Sequence, residues 1–206
     1  MEMKTPDLQE KNWKIQGDKK QMERNQERSI SDMNEIVKSM IERRSVKAYT
    51  DEMPSQELID QIIEAGTYAA NGMGMQSAII VEVTDKATRD QLSEMNAKIM
   101  GHEGMDPFYG APVVLVVLAD KSRPTHVYDG SLVMGNLMNA AHALGVGSCW
   151  IHRAKEEFES EEGQALLKKW GIEGDYEGIG HCVLGYPKNP LPQAKPRKEN
   201  FVYYVK

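Results

Sequence analysis

The middle of the chain contains the run Val113-Val114-Leu115-Val116-Val117-Leu118, in which no polar residue interrupts the apolar side chains. Such a run predicts a strand that is buried on both faces. Three other segments are also strand-like, and they are residues 79–83, 148–152 and 179–184. The sequence therefore predicts a domain with four strands.

The segments between these strands show the spacing of amphipathic helices. The predicted helices cover residues 33–41, 56–70 after the capping residue Ser55, 85–100, and 161–170 before Gly171. One further helix is predicted to open at Asp129 or Ser131 and to run to Leu144. That helix is apolar nearly all round, which predicts a central position or an interface.

The composition is that of an ordinary globular protein, with 40% hydrophobic and 27% charged residues. The formal net charge of −6 argues against a nucleic-acid-binding surface, although it leaves room for a local basic pocket. No apolar run approaches the ~20 residues of a membrane span, and residues 1–30 lack the hydrophobic core of a signal peptide. We therefore expect a cytoplasmic protein without nucleic-acid or membrane partners, in which Cys149 and Cys182 are reduced and buried.

Both chain ends depart from the helix and strand pattern. Residues 1–29 are polar, mixed in charge and poor in aliphatic side chains, which predicts a flexible N-terminal arm. The folded domain is expected to cover residues 30–206, beginning near Ser29-Ile30-Ser31-Asp32. At the other end, a proline-rich stretch leads to the strand-like Phe201-Val202-Tyr203-Tyr204-Val205. Such a strand needs an edge to pair with, so we expect it to join the sheet of a second subunit.

Two basic clusters lie near opposite ends of this domain. The first is Arg43-Arg44-Ser45-Val46-Lys47, and the second is Lys195-Pro196-Arg197-Lys198. Arginine offers a bidentate fork to phosphate and lysine a point charge, so the two clusters could converge on one small anion. Taken alone, the first cluster is more commonly a basic helix end that complements the helix dipole.

The sequence contains no recognisable catalytic constellation. A Walker loop, a Gly-x-Gly-x-x-Gly turn and a nucleophile elbow are absent. His142, His152 and His181 lack the spacing of metal ligands, so we interpret them as structural and expect no metal site. The glycines of Asn71-Gly72-Met73-Gly74-Met75-Gln76 are typical of irregular backbone close to a ligand. We therefore expect the chemistry to come from a cofactor.

Five motifs, taken in their order along the chain, resemble those of the FMN-dependent nitroreductase family. They are Arg43-Arg44-Ser45-Val46-Lys47, the loop Gly72-Met73-Gly74-Met75-Gln76-Ser77, the strand start Ala111-Pro112-Val113, the turn Leu144-Gly145-Val146-Gly147 into Ser148-Cys149-Trp150, and Gly185-Tyr186-Pro187 followed by Lys195-Pro196-Arg197. The resemblance runs from about Met33 to the C-terminus. No single motif is specific for this family, whereas the five motifs in this order are.

The resemblance implies an α+β fold with a central, mainly antiparallel sheet flanked by helices, in an intertwined homodimer that exchanges its C-terminal strand. It implies FMN as the cofactor and NADH or NADPH as the co-substrate. Hydride would then pass to a nitroaromatic, a quinone or another small electron acceptor by a ping-pong mechanism. The flavin N5 atom would carry the chemistry, without a catalytic side chain.

The resemblance also implies a set of cofactor-binding residues. They are Arg43, Arg44, Ser45, Lys47, Asn71, Gly72, Gly74, Gln76, Trp150, Ile151, His152, Arg153, Lys195 and Arg197. The residues of the two basic clusters would hold the phosphate and ribityl chain, with Lys47 near the pyrimidine edge of the flavin. The backbone N–H groups of residues 150–153 would face N5 and O4. The loop of residues 72–76 would pass the ring edge, from the other subunit.

The chain departs from the family pattern in this loop. Gly74 stands where relatives usually carry Asn, with Asn71 a candidate for the missing contact, and Ser77-Ala78 replaces Pro-Trp. A second hypothesis is different chemistry on the same fold, such as reductive dehalogenation, which would need a lid; the short loop of residues 102–109 disfavours it. Two further hypotheses are a flavin-binding protein without turnover and a scaffold protein that binds no flavin.

Overall fold

The computed structural model describes residues 33–205. The predicted arm of residues 1–29 and the predicted capping residues at 29–32 lie outside this range. Among the described residues, those up to Ile41 and those from Glu42 onward belong to separate units. The sheet and all but the first of the helices described below belong to the second unit.

Helices and strands alternate along the described chain. The helices are α1 (Glu35–Glu42), α2 (Gln56–Thr67), α3 (Lys86–Met100), α4 (His126–Ala143), α5 (Ala154–Glu159) and α6 (Glu161–Lys169). The strands are β1 (Ala78–Val83), β2 (Val113–Asp120), β3 (Gly147–Ile151) and β4 (Tyr176–Gly185). Each of the four predicted strands is therefore confirmed, and β4 is longer than predicted.

The strands form one antiparallel sheet in the order β1-β2-β4-β3. β2 lies inside the sheet, and its residues from Val113 to Ala119 are all fully buried. Its side chains alternate between two separate hydrophobic clusters, one on each face. This alternation explains why the strand has no polar face, as the sequence predicts.

Helices cover both faces of the sheet, which gives the predicted α+β architecture. On one face, Ile59 and Ile62 of α2 and Leu137 of α4 pack with the odd-numbered residues of β2. On the other face, Leu92 of α3 and Phe158 of α5 pack, together with α6, against the even-numbered residues. α4 contacts α2 and every strand of the sheet, so its predicted central position is confirmed.

Side-chain caps fix where several of these helices begin. Ser55 accepts a hydrogen bond from Leu58 N–H, Asp85 from Thr88 N–H, and Ser160 from Gly163 N–H. Each cap satisfies one of the free N–H groups of a first helical turn. The sequence predicts a cap at Ser55, which is confirmed, and a second cap at Thr84 or Asp85, of which Asp85 is the one observed.

The largest differences from the helix prediction concern α4 and α5, and α2 also ends at Thr67 rather than at residue 70. α4 begins at His126, ahead of the predicted start at Asp129 or Ser131. The Asp129 carboxylate is not a cap and instead bonds the loop before β1. The short helix α5 was not predicted. It lies against β4 at Gly178, where an added Cβ atom would come within 2.1 Å of the Ala154 carbonyl oxygen.

The C-terminal segment leaves the sheet after Gly185. It forms a single 3-10 turn at Glu199–Phe201, and residues 202–205 pair with no strand in the described part of the chain. The side chains of Phe201, Tyr203 and Val205 are exposed. The predicted exchange of this segment between subunits therefore stays a prediction. Between residues 33 and 205, none of the helices has the length and apolar character required to span a membrane.

Candidate functional site

The first basic cluster lies along the outer edge of β3. Ser45 forms a parallel bridge with Ser148, and Val46 N–H donates to the Ser148 carbonyl oxygen at 3.0 Å. The following residues cross the end of the sheet, where Thr50 N–H donates to the Tyr186 carbonyl oxygen at 2.9 Å. These bonds bring the cluster beside both the Leu-Gly-x-Gly turn and the Gly-Tyr-Pro segment.

Buried polar atoms near this edge lack partners within the described chain. They are Nη1 of Arg43 and the Oγ of Ser148, which is 1% exposed. Arg44 lies alongside and donates from Nη1 to the Arg43 carbonyl oxygen at 2.7 Å. Burying polar groups without hydrogen bonds is costly, and an oxyanion is a hydrogen-bond acceptor that suits either donor. This donor set fits the phosphate group of FMN.

The positive charge of this region affects the pKa values of neighbouring side chains. Burial lowers the pKa of His142, and the positive charge of Arg43 lowers it further. Burial raises the pKa of the Cys149 thiol, while a hydrogen bond with Ser45 and the charge of Lys47 act in the opposite direction. Both cysteines are free and buried, as predicted. Among residues 33–205, no group of three or more His, Cys, Asp or Glu could hold a metal ion.

A cleft of about 230 Å³ adjoins the basic cluster. Its walls are formed by residues 45–48 and 189–192. The Lys47 Nζ atom lies 6.0 Å from the centre of the Tyr109 ring, within range of a cation–π contact. Tyr109 is 37% exposed and has a left-handed backbone with φ 57°. Tyr109 was not among the predicted site residues, although the aromatic pair Phe108-Tyr109 before Gly110 is a visible signal.

The far end of β3 offers backbone rather than side chains to a ligand. Trp150 and Ile151 direct their side chains into opposite hydrophobic clusters. The Ser148 carbonyl faces the outer edge of β3. Because the backbone hydrogen-bonding groups of successive residues face alternate edges of a strand, the Trp150 N–H also faces the outer edge. His152 is exposed, and Arg153 has a left-handed backbone with φ 78°. The predicted flavin-facing segment is thus an open strand edge that ends in a strained turn.

The glycine-containing loop before β1 has irregular backbone, as predicted. Met73, Gly74 and Gln76 all have positive φ angles, of 53°, 68° and 49°. The Asn71 side chain closes this loop, because its Oδ1 accepts from Gln76 N–H at 2.9 Å and its Nδ2 donates to the Ala69 carbonyl oxygen. At Gly72 an added Cβ atom would lie 2.4 Å from Thr125 Oγ1, so only glycine fits there.

A buried carboxylate that the sequence analysis missed fixes this loop to α4. Asp129 is 3% exposed, and it accepts hydrogen bonds from Gly72 N–H at 2.9 Å, Ser77 Oγ at 2.7 Å and Thr125 Oγ1 at 3.1 Å. Burial acts to raise the pKa of Asp129, but these hydrogen bonds hold it below the ordinary value. The sequence signal was an acidic residue inside an otherwise apolar helix.

The predicted site residues do not all meet within one chain. Ser45 lies beyond β3, at the level of Val113 in β2. Ala78 lies on β1, the opposite edge strand, and pairs with Ala119 at the other end of β2. The distance across the sheet and along β2 is roughly 25 Å, from strand spacing and rise per residue. The basic cluster and the loop of residues 71–77 therefore lie at diagonally opposite corners of the sheet.

The second basic cluster is exposed on the C-terminal segment. Within the described residues, neither Lys195 nor Arg197 forms a hydrogen bond or ion pair with residues 43–47, and Arg197 Nη2 donates to the Lys195 carbonyl oxygen at 2.6 Å. The predicted convergence of the two clusters on one anion thus stays a prediction.

Comparison with known proteins places this arrangement in a family. The profile of the nitroreductase family matches residues 40–186. The FMN reductase (NAD(P)H) of Bacillus subtilis strain 168 is 30% identical, over 78% of this chain and 72% of its own length. A putative NADH dehydrogenase/NAD(P)H nitroreductase of Archaeoglobus fulgidus is 31% identical, over 76% of this chain and 88% of its own.

Solved structures give the same result. A nitroreductase with bound FMN from Bacteroides fragilis superposes with a TM-score of 0.78 and 25% identity, over 84% of this chain and 100% of the other. A nitroreductase with bound FMN from Desulfitobacterium hafniense reaches a TM-score of 0.75 and 27% identity, with the same coverage of both chains. The chain therefore belongs to the nitroreductase family.

Proposed function

We propose that this protein is an FMN-dependent oxidoreductase that takes hydride from NADH or NADPH and passes it to a small acceptor such as a nitroaromatic compound or a quinone. Family membership and the FMN-bound relatives support the cofactor. Relatives named as NAD(P)H-dependent FMN reductase and nitroreductase support the reaction class.

The observation that carries the proposal is the unpaired buried donor set beside an open strand edge. Arg43 Nη1 and Ser148 Oγ lack partners in the described chain, and Ser45 and Lys47 follow on the same segment. In our proposal Arg43, Arg44 and Ser45 bind the phosphate, with Lys195 and Arg197 reaching it from the C-terminal segment. The Lys47 ammonium group then lies near the pyrimidine edge, where a cation stabilises the charge of reduced flavin.

The basic cluster and the loop of residues 71–77 lie at opposite corners of the sheet, which supports a homodimeric site. One chain does not bring the loop of residues 71–77 to a flavin ring held at β3, because β4 and β2 lie between β3 and β1, which are about 14 Å apart by strand spacing. A second copy can supply that loop, with Asn71, Gly72, Gly74 and Gln76 at the ring edge. The exposed apolar side chains of residues 201–205 favour the same assembly, with the outer edge of β1 available as a strand partner.

When bound, FMN supplies the chemistry by accepting hydride at N5 and giving it to the next substrate. The protein's part is positioning: the backbone at Trp150, Ile151, His152 and Arg153 holds the ring, and Lys47 balances charge. No side chain at this edge is required as a general base. We propose that NAD(P)H and the acceptor occupy the same space in turn, which gives ping-pong kinetics.

The spectrum of the purified protein tests the cofactor and the reaction together. We expect a yellow protein whose absorbance is bleached by NADH or NADPH and recovers when a quinone or nitroaromatic compound is added. Double-reciprocal plots at several acceptor concentrations should be parallel, and intersecting lines would argue for a ternary complex instead. Flavin that binds but is never bleached would support a flavin-binding protein without turnover.

A single variant tests whether a proton donor has been missed. His152→Ala should lower the rate by much less than the ~10²–10⁴-fold expected when a general acid or base is lost. A His152→Ala protein that binds FMN normally but is inactive would contradict the assignment of purely positional roles to the protein.

A further inference from the structure

A buried polar network lies directly beneath the end of β3. It consists of Asn96 on α3, Glu157 on α5 and His181 on β4, each of them 0% exposed. Asn96 Nδ2 donates to the His152 carbonyl oxygen at 2.7 Å and also to Glu157 Oε1. Glu157 Oε2 lies 3.0 Å from His181 Nε2. The network therefore connects the sheet interior to the turn at which the flavin-facing segment ends.

This network determines where the peptide group between His152 and Arg153 points. In a planar trans peptide the C=O and the following N–H point in opposite directions. Because the His152 carbonyl is held toward Asn96, the Arg153 N–H must point away from Asn96 and from α3. The left-handed backbone of Arg153, with φ 78°, accommodates this orientation. Among residues 33–205, the Arg153 N–H has no backbone acceptor in a turn, loop or cap.

Glu157 and His181 explain why Asn96 has one orientation only. Both hydrogens of the Asn96 amide are used, by the His152 carbonyl and the Glu157 carboxylate. A flipped amide would place Asn96 Oδ1 against two oxygen atoms, and such a buried contact is unfavourable. The His181 ring is in turn packed beside Phe108 and Phe158, at centroid distances of 5.2 Å and 6.3 Å.

The network has an energetic cost that argues against a purely structural role for it. The Nδ1 atom of His181 is buried and has no hydrogen-bond partner within the described chain. The left-handed conformation of Arg153 is itself unfavourable for a residue with a side chain. An apolar filling of the same space would avoid the unpaired atom, so the network is better explained by the need to orient the peptide above it.

We propose that Asn96 is a positioning residue that aims the Arg153 N–H at the flavin ring, with Glu157 and His181 fixing its amide. This inference rests on the proposed function and deepens it, because it names the residue behind the site that sets one backbone donor. Asn96 touches neither flavin nor substrate. Its effect reaches them through the peptide of His152 and Arg153, and its Oδ1 also accepts a hydrogen bond from Arg153 Nη1 at 3.5 Å.

The first experiment compares Asn96→Leu with the matched control Ser93→Ala. Ser93 is on the same helix and is also buried, but its hydroxyl donates to Asp106, away from the turn. We expect Asn96→Leu to shift the visible spectrum and lower the midpoint potential of the bound flavin, with flavin reduction by NADH slowed by up to about 100-fold through misplacement. The FMN dissociation constant should stay close to that of Ser93→Ala, because the phosphate contacts lie elsewhere.

A second experiment needs no variant. Amide hydrogen exchange of the wild-type protein should show the Arg153 N–H exchanging fast without FMN and slowly with it. An Arg153 N–H that FMN leaves unprotected overturns the proposal, even where Asn96→Leu does not fold. A spectrum and potential of Asn96→Leu equal to those of Ser93→Ala would also overturn it. A wild-type protein that binds no FMN, or that NAD(P)H does not bleach, would refute the proposed function instead.

Discussion

The substitution Asp129→Asn perturbs the contact that holds the loop before β1. The carboxylate accepts from Gly72 N–H, Ser77 Oγ and Thr125 Oγ1 while it is almost fully buried. Asparagine keeps the shape but removes the charge, and its Nδ2 group would face hydrogen-bond donors in place of an acceptor. The substitution therefore tests hydrogen bonding and charge with little change in packing.

The expected loss of stability follows from these contacts. Hydrogen bonds to a charged group contribute about 1.5–3 kcal/mol each, and an amide oxygen retains part of that contribution. We expect the free energy of unfolding to fall by roughly 2–4 kcal/mol, within the upper range for single substitutions. For a chain of this size that corresponds to a decrease in Tm of roughly 5–15 °C.

Urea unfolding followed by circular dichroism measures this difference, with Asp120→Asn as the control. The hydrogen bonds that Asp120 accepts come from Ser122, at 2.8 Å, and its side chain is 35% exposed. The control should change the free energy of unfolding by less than about 1 kcal/mol. A value for Asp129→Asn within about 0.5 kcal/mol of the control would refute the reasoning.

The pH dependence gives an independent check on the same residue. The folded pKa of Asp129 is below its ordinary value of 3.8. Its stabilisation is therefore fully present above pH 3.8 and is lost as the pH falls through the lower, folded pKa. The difference in unfolding free energy between wild type and Asp129→Asn should be constant near neutral pH and should shrink below about pH 4. A difference that grows in acid would contradict the assigned ionisation.

Other variants test the cofactor site and the assembly. Arg43→Ala should weaken FMN binding by roughly 10- to 150-fold, the value of one charge-assisted hydrogen bond; unchanged affinity in a titration of the apoprotein would reduce Arg43 to a helix-end residue. Lys47→Ala should spare FMN affinity more, yet lower the reduction potential of the bound flavin, because a cation near the reduced ring is lost. An unchanged reduction potential in a spectroelectrochemical titration would show that Lys47 does not lie at the ring edge. Deletion of residues 199–206 should cause aggregation or loss of flavin, and a soluble, flavin-loaded monomer in light scattering would contradict the exchanged segment.

Much of the fold was predictable because its signals are local. The burial of β2 follows from a run of apolar residues, and the starts of α2 and α3 follow from Ser55 and Asp85. The predicted start of α4 was wrong. Asp129 has a side chain suited to capping a helix, but it accepts a hydrogen bond from a distant loop instead. The helix α5 was missed because six residues give too little periodicity, and its place depends on the absence of a side chain at Gly178.

The candidate site was less predictable, because its supporting residues are distant in sequence. The basic cluster can be recognised from its own residues and from the resemblance. The contacts of Asn96 with His152 and of Asp129 with Gly72 join residues 56 and 57 positions apart. No periodicity or motif marks such pairs, and Asn71 shows the same difficulty. Its amide, a candidate for the flavin contact, also closes its own loop through contacts with Ala69 and Gln76.

The diagonal separation of the basic cluster and the loop of residues 71–77 has a genetic consequence. When each site takes its basic cluster from one copy and its loop from the other, a defect in either half leaves the other half of the same chain intact. At FMN concentrations that saturate only the wild-type site, Arg43→Ala chains and chains disrupted at Gly72 should each be inactive alone. Co-expressed in one cell, they should form mixed pairs in which one of the two sites is built entirely from native residues, so activity returns by complementation between alleles.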